Sequence, residues 1–243
     1  MKEALTAMAT TKPRGRPPGP RTWDGQLPSP EEQRGLKEEA ILECAGRWFQ
    51  RHGFHGASLA DIAQELGVTK AALYHYASGK SELLFKLHMR SLAAAKSARE
   101  QAVQEGSDGM DRIARLVYNV VLLMTGSVTN TFILVEPGTL DAPHWEAVAG
   151  ERRWLEHDLR DLVQQGIEDG SIVPCDPKLV AFLIIGAQNW VVNWYRAGGS
   201  WTGHQVAYGY ARLVRRMLGK RRAGAMPTAL ADCPPTIGFD APC

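Results

Sequence analysis

The run Thr69-Lys70-Ala71-Ala72-Leu73-Tyr74-His75 holds the residues with the clearest chemistry in this chain. Thr69, Lys70 and Tyr74 are donors suited to phosphate oxygens or base edges. His75 points outward with them. Ala71 and Ala72 keep the same face slim, so that a helix can enter a major groove closely and touch thymine methyls. Leu73 and Tyr76 fall on the other side and are expected to face inward with Val68. Further along, Lys80 stands at the start of another helical pattern, where the macrodipole disfavours a cation unless an anion such as phosphate joins it.

Two short helical patterns position this group. Leu59, Ile62, Ala63 and Leu66 form an apolar i, i+3, i+4, i+7 stripe, with Ser58 in the N-cap place. Gly67 ends that helix at lowest steric cost, because it tolerates positive φ. Thr69 caps the next pattern, Lys70 to Tyr76. This is the grammar of a helix-turn-helix, in which the second helix is presented to a DNA major groove. An ordinary packed helix pair with a Gly C-cap would share the pattern. A longer helix starts at Ser29-Pro30, carries Leu36, Ala40, Ile41, Cys44, Ala45, Trp48 and Phe49 on one stripe, and is expected to stop near His52-Gly53. Packed across the other two, it completes a small core with Phe54, Ile62, Leu66 and Leu73.

The first thirty residues are rich in Pro, Gly, Thr and Ala, a composition that predicts no fixed structure. Within them lies Lys12-Pro13-Arg14-Gly15-Arg16-Pro17-Pro18, which resembles an AT-hook. The Gly between Arg14 and Arg16 allows a slim extended strand, and both guanidiniums suit the negative potential of a narrow A·T-rich minor groove. A basic, solubilising leader is the plainer reading of the same residues.

Bulk properties narrow the classes. With 243 residues the chain is long enough for a substantial core. A net charge of +2 excludes a generic polyanion binder, so a nucleic-acid role must be local. No signal peptide or membrane span is legible, and a cytoplasmic protein without a membrane partner is expected. The four cysteines, Cys44, Cys175, Cys233 and Cys243, show no metal or CxxC spacing and are expected as reduced thiols. The motifs of hydrolases, metalloproteases, P-loop and dinucleotide enzymes are missing, so no catalytic residue, metal or cofactor is assigned. Of the seven scattered histidines, His144 beside Trp145 is the one placed to bear on a bound ligand.

The order Ile41…Ala45…Phe49…Gly53-Phe54…Ser58-Leu59-Ala60-Asp61-Ile62-Ala63…Gly67 to Tyr76…Lys80-Ser81-Glu82-Leu83-Leu84 closely resembles the TetR family of bacterial one-component transcription regulators. The resemblance covers about residues 33–90. It implies phosphate contacts from Ser58, Tyr74 and Lys80, and groove-facing positions at Thr69, Lys70, Ala71, Ala72 and His75. Ala77 departs from the aromatic residue usual in the family, which predicts a looser seam between the reading helix and the connecting helix.

The rest, to about Arg222, reads as helices only, so the fold is expected to be all-α. The implied domains are a basic arm (1–30), a helix-turn-helix domain (31–79), a helical ligand-binding and dimerisation domain (80–222) and an unstructured tail (223–243). The last two helices, Leu179 to Tyr195 and His204 to Leu218, carry wide apolar faces that in the family form a four-helix bundle between subunits. Two-fold symmetry fits two reading heads to adjacent major grooves of double-stranded DNA. Apolar and sulfur side chains of Met89, Leu92, Val117, Val121, Met124, Phe132, Trp145 and Trp154 are expected to line a ligand pocket, or else to be plain core. Arg152 and Arg153 suit a ligand phosphate or carboxylate, or a solvated face. Asn193-Trp194-Tyr195-Arg196-Ala197-Gly198-Gly199 resembles members of the family that sense acyl-CoA thioesters or related lipid and steroid catabolites. The function so implied is a dimeric repressor released from a palindromic operator by a small-molecule effector. The competing reading is an architectural A·T-rich DNA-binding protein acting through the Arg-Gly-Arg arm.

Overall fold

The computed structural model describes residues 29–126 and 138–219. Arg14, Arg16, Phe132 and the expected tail lie outside the described residues. Eight helices and one isolated antiparallel bridge, Ile172 with Gly219, are present among the described residues, in accord with an all-α fold.

The chain divides into two units, Met1–Lys37 and Glu38–Cys243. The described residues of the first open helix α1 (Pro30–Gly56). Ser29 Oγ accepts the N–H of Glu32 at 3.1 Å, and Glu32 returns a carboxylate oxygen to the N–H of Ser29 at 2.6 Å. This reciprocal box satisfies donors that a helix start otherwise leaves unpaired. Leu36, expected on the apolar stripe, is exposed.

In the second unit α1 breaks at Gly53 (φ 68°, ψ 170°), where the sequence predicts its end, and resumes only to Gly56. Then come α2 (Leu59–Glu65), α3 (Lys70–Tyr74), α4 (Lys80–Glu105) and α5 (Gly109–Thr125). After the segment outside the described residues come α6 (Ala142–Glu168), α7 (Pro177–Trp194) and α8 (Gly203–Leu218). Side-chain oxygens of Ser58, Thr69, Asp108, Asp141, Asp176 and Thr202 cap six of these starts. α4 has no such cap at Gly79; instead Glu82 accepts both the N–H and the hydroxyl of Ser78 at 2.7 Å.

Two cores result, and α4 belongs to both. Its first half gives Leu83, Leu84 and Leu87 to a cluster with Ile41, Phe49, Ile62 and Leu73. Its second half gives Ala98 and Ala102 to a cluster with Ile113, Val117, Val121, Leu162, Ile184 and Ala211. Leu140, just before α6, and Val148 within it reach back to the first core.

The second core is tied by a buried carboxylate. Asp111 accepts from Arg115 Nε at 3.0 Å and the N–H of Ser107 at 3.2 Å, and pairs with Arg215 of α8. Burial alone would raise its pKa, but the Arg115 and Ser107 hydrogen bonds and both guanidiniums outweigh that and hold it below the usual carboxylate range. The start of α5 and the end of α6 meet at Gly109 and Gly166, so closely that a Cβ on Gly109 would overlap the Gly166 backbone. No described helix is long and apolar enough to cross a membrane.

Candidate DNA interface and effector cavity

The turn between α2 and α3 is built as its sequence requires. Gly67 takes φ 66°, Val68 donates to Ala63 O at 3.0 Å and Gly67 to Gln64 O at 3.1 Å. These two bonds close α2 in a Schellman motif, which needs a residue at ease with positive φ. Thr69 Oγ1 then accepts the N–H of Ala72 at 3.2 Å and starts α3. Leu73 is fully buried beneath it.

Thr69, Lys70, Ala71, Tyr74 and His75 are exposed together on one side, with Ala72 partly so. Lys70 Nζ lies 5.9 Å from the Tyr74 ring centroid, so the cation is held beside the phenol on the same face. Val68 departs from expectation: it is 43% exposed, because the turn lifts it out while Leu73 fills the space below. α3 is also shorter than predicted. The N–H groups of Tyr76 and Ala77 both go to Leu73 O, at 2.9 and 3.0 Å, which tightens and ends the helix. The seam at Ala77 is closed: the residue is buried, and Lys86 Nζ donates to the preceding carbonyl of Tyr76 at 2.6 Å.

Two expected phosphate ligands are employed inside the fold. Ser58 Oγ accepts the N–H of Asp61 and donates to Asp61 Oδ2 at 2.6 Å. Lys80 gives its ammonium to the carbonyls of Phe54, His55 and Ala57, at 2.8, 3.2 and 3.1 Å, with the Phe54 ring centroid 4.7 Å away. An ammonium has three N–H donors, so all are taken. The expectation that Lys80 offers a free cation to phosphate is corrected: it binds the carbonyls left open where α1 ends.

Beyond this head, α4, α5, α6 and α7 line a partly open cavity of about 470 Å³. From α5 come Leu116, Val120 and Met124, four residues apart and on one face. Leu92 and Ala95 of α4, Leu155 and Leu159 of α6, and Phe182 and Ile185 of α7 complete the apolar wall. The polar wall consists of His88, Ser91 and Arg99 on α4, Arg152, Arg153, Glu156 and Asp158 on α6, and Gln188 and Asn189 on α7.

Of the expected lining residues, Leu92 and Met124 are there. Val117 and Val121 are not: each sits one residue, about 100° of helix, away from the lining face and is sealed in the second core. Met89 packs at the margin of the first core. Trp145 and Trp154 are exposed on α6, the latter under Lys96 Nζ at 4.6 Å. His144 lies outside the cavity and stacks on Phe85 at 4.1 Å. Sequence reading missed His88, Arg99 and Gln188. The signal for Gln188 was available, since Gln188-Asn189 interrupts an otherwise apolar helix at a position that proves buried.

The electrostatics of the cavity are uneven. Asp158 is held by Arg99 and Glu156 by Arg160. Arg152 and Arg153 make no ion pair among the described residues. Burial, reinforced by the nearby Arg152 charge, pushes the His88 imidazole down to about 3, so it is neutral near pH 7. Nε2 of His88 and Nε2 of Gln188 are buried with no hydrogen-bond partner.

A DNA-reading head joined through one helix to a largely apolar cavity defines a one-component regulator, and comparison with known proteins agrees. Residues 41–87 match the bacterial regulatory proteins of the tetR family, and residues 106–218 match the tetracyclin repressor-like C-terminal domain. The chain belongs to the TetR family of bacterial transcription regulators. It is 24% identical over 177 residues to the HTH-type transcriptional repressor KstR2 of Mycobacterium tuberculosis, covering 72% of this chain and 88% of that one. The KstR2 structure shares the fold at a TM-score of 0.69, with 24% identity over 81% of this chain and 98% of that one. AibR, solved in complex with isovaleryl coenzyme A and operator DNA, superposes at a TM-score of 0.65 with 28% identity over 73% of this chain and 97% of its own.

Proposed function

We propose that this protein is a homodimeric, ligand-responsive transcriptional repressor. It binds a palindromic operator through α3 and leaves it when a small apolar or acyl-CoA-like effector enters the cavity. The observation that carries this reading is the double membership of α4. Its first half is core to the reading head, and its next turns form one wall of the cavity. A ligand that displaces that wall turns the head. A ligand must prefer the released arrangement by about 5.5 kcal/mol to move the population from 1:99 to 99:1.

Thr69, Lys70, Ala71, Ala72 and His75 are assigned to the groove and Tyr74 to the phosphates, with Ser58 at the backbone end of α2. Arg14 and Arg16 add a minor-groove contact whose effect is to raise affinity through tethering. The dimer forms on α7 and α8, whose exposed Leu179, Leu183, Trp190, Leu213 and Met217 suit burial against a second copy. Two-fold symmetry then sets the reading helices about 34 Å apart, one turn of B-DNA. AibR, with its acyl-CoA and operator, supports the effector class.

Selection of bound sequences from random duplexes tests the reading. An inverted repeat with half-sites one helical turn apart is expected, with binding lost in Tyr74→Ala. Recovery of A·T-rich DNA without a repeat, unaffected by Tyr74→Ala but abolished by removing residues 1–28, would support the architectural alternative instead.

A further inference from the structure

We propose that His88 and Gln188 form a carbonyl-recognition pair in the effector cavity, and that Arg152 and Arg153 restrict its ligands to anions. The cavity then selects an acyl compound: an apolar body ending in a C=O acceptor, with negative charge on that group or on a carrier attached to it. This rests on the reading of the cavity as the effector site and adds which chemistry the site demands.

Two buried polar atoms carry the argument. Gln188 is 7% exposed and His88 3%, and the Nε2 atom of each lacks a hydrogen-bond partner while its residue lines the cavity. Each buried group left unpaired costs about 1–3 kcal/mol, so their coincidence on one void marks a place where a ligand atom belongs. The Gln amide nitrogen donates only. The neutral imidazole presents a donor at Nε2 in one of its tautomers. A carbonyl oxygen, with two lone pairs and no proton, satisfies both; a hydrocarbon satisfies neither.

The charge requirement is independent of this. Each acid on the wall already faces an Arg, Asp158 with Arg99 and Glu156 with Arg160. Arg152 and Arg153, both exposed at the cavity's rim, make no ion pair among the described residues and leave the wall with two uncompensated guanidiniums. Guanidinium donors pair with carboxylate or phosphate oxygens in the same planar geometry, so both sources of charge fit. A cationic ligand is repelled.

Calorimetric titration of the full-length protein with octanoate, octanoyl-CoA and octan-1-ol tests the pair without any DNA. At least one of the two acyl probes is expected to bind ten times more tightly than the alcohol. Gln188→Leu should lose tenfold or more for that probe and leave the alcohol unchanged. Gln188→Glu keeps the shape and replaces the donor, so it serves if the leucine variant fails to fold; it should lose at least as much. Arg152→Gln together with Arg153→Gln should weaken the acyl probe and flatten its salt dependence. Weakening of octanoyl-CoA alone places the charge on the carrier, and weakening of octanoate places it on the acyl group. The proposal is overturned if neither acyl probe binds, if the alcohol binds within threefold of both, or if both Gln188 variants bind like the native protein. Acyl binding without operator release would instead sink the repressor reading and leave the pair intact.

Discussion

Arg99 on α4 and Asp158 on α6 meet in a bidentate pair at the cavity wall, Nε to Oδ2 at 2.8 Å and Nη2 to Oδ1 at 2.7 Å. Lys96 with Glu151 repeats the link one turn earlier on α4. The two helices are thereby fastened beside the proposed effector cavity, and α4 is also the helix that contributes to the core of the head. Asp158→Asn removes the charge and one arm of the fork. It is expected to lower stability by about 1–3 kcal/mol in thermal unfolding, since a partly buried charged pair loses its partner. It should also lower the effector concentration needed for operator release, because one restraint on α4 is gone. An unchanged release curve would remove Arg99 from the coupling.

Lys80 and Lys70 should separate cleanly. Lys80→Ala strips donors from three carbonyls at the end of α1 and is expected to destabilise the head by about 1–3 kcal/mol. The slope of log affinity against log salt should stay the same. Lys70→Ala should leave the unfolding temperature in place and reduce that slope by about 0.9 for each phosphate that the lysine neutralises. Reversed outcomes would return Lys80 to the phosphate backbone.

The close approach of Gly109 to Gly166 leaves no room for a methyl group. A methyl on Gly166 meets the Ile172 side chain first, but Gly109→Ala must push α5 from α6, at a cost of at least about 1–3 kcal/mol by the measure of overpacked cores. The same movement strains the Gly109 N–H bond to Asp169, 2.7 Å in the native chain. Urea unfolding reads the loss.

His88 predicts a pH dependence of definite sign. Its folded pKa, about 3, lies below the ordinary value of 6.5. The unfolded chain therefore binds a proton that the folded chain refuses between those values. Stability is complete above pH 6.5 and falls as pH drops towards 3, by up to about 1.4 kcal/mol per unit from this residue alone. Asp111, depressed by its two arginines, adds a loss in the same direction at lower pH. His88→Gln should flatten the upper part of the curve; a curve identical to the native one would mean that His88 titrates in the folded protein.

Leu183→Glu, on the exposed face of α7, is expected to yield a folded monomer with native helicity by circular dichroism and no operator complex. A dimer in sedimentation would move the interface elsewhere.

The sequence by itself determined the reading head. Ser58, Gly67 and Thr69 act on neighbours three to five residues away, so local chemistry suffices to write two capped helices and a tight turn. The apolar spacing likewise announced the three helices of the head and the last two of the chain with boundaries within a few residues, apart from a reading helix two residues shorter than expected.

What tertiary structure alone decided is how partners are shared out through space. Periodicity gave α5 an apolar stripe. Which edge of it faces a void and which faces α8 depends on the neighbouring helices, so Leu116 and Val120 line the cavity while Val117 and Val121 do not. Lys80 reads as a free cation at a helix start until the carbonyls of Phe54, His55 and Ala57 are brought to it across more than twenty residues of chain. His88 and Gln188 became candidates only when α4 and α7 set them on one cavity and gave neither Nε2 atom a partner. Hydrogen-bond donors choose by distance and direction, and those are properties of the folded chain.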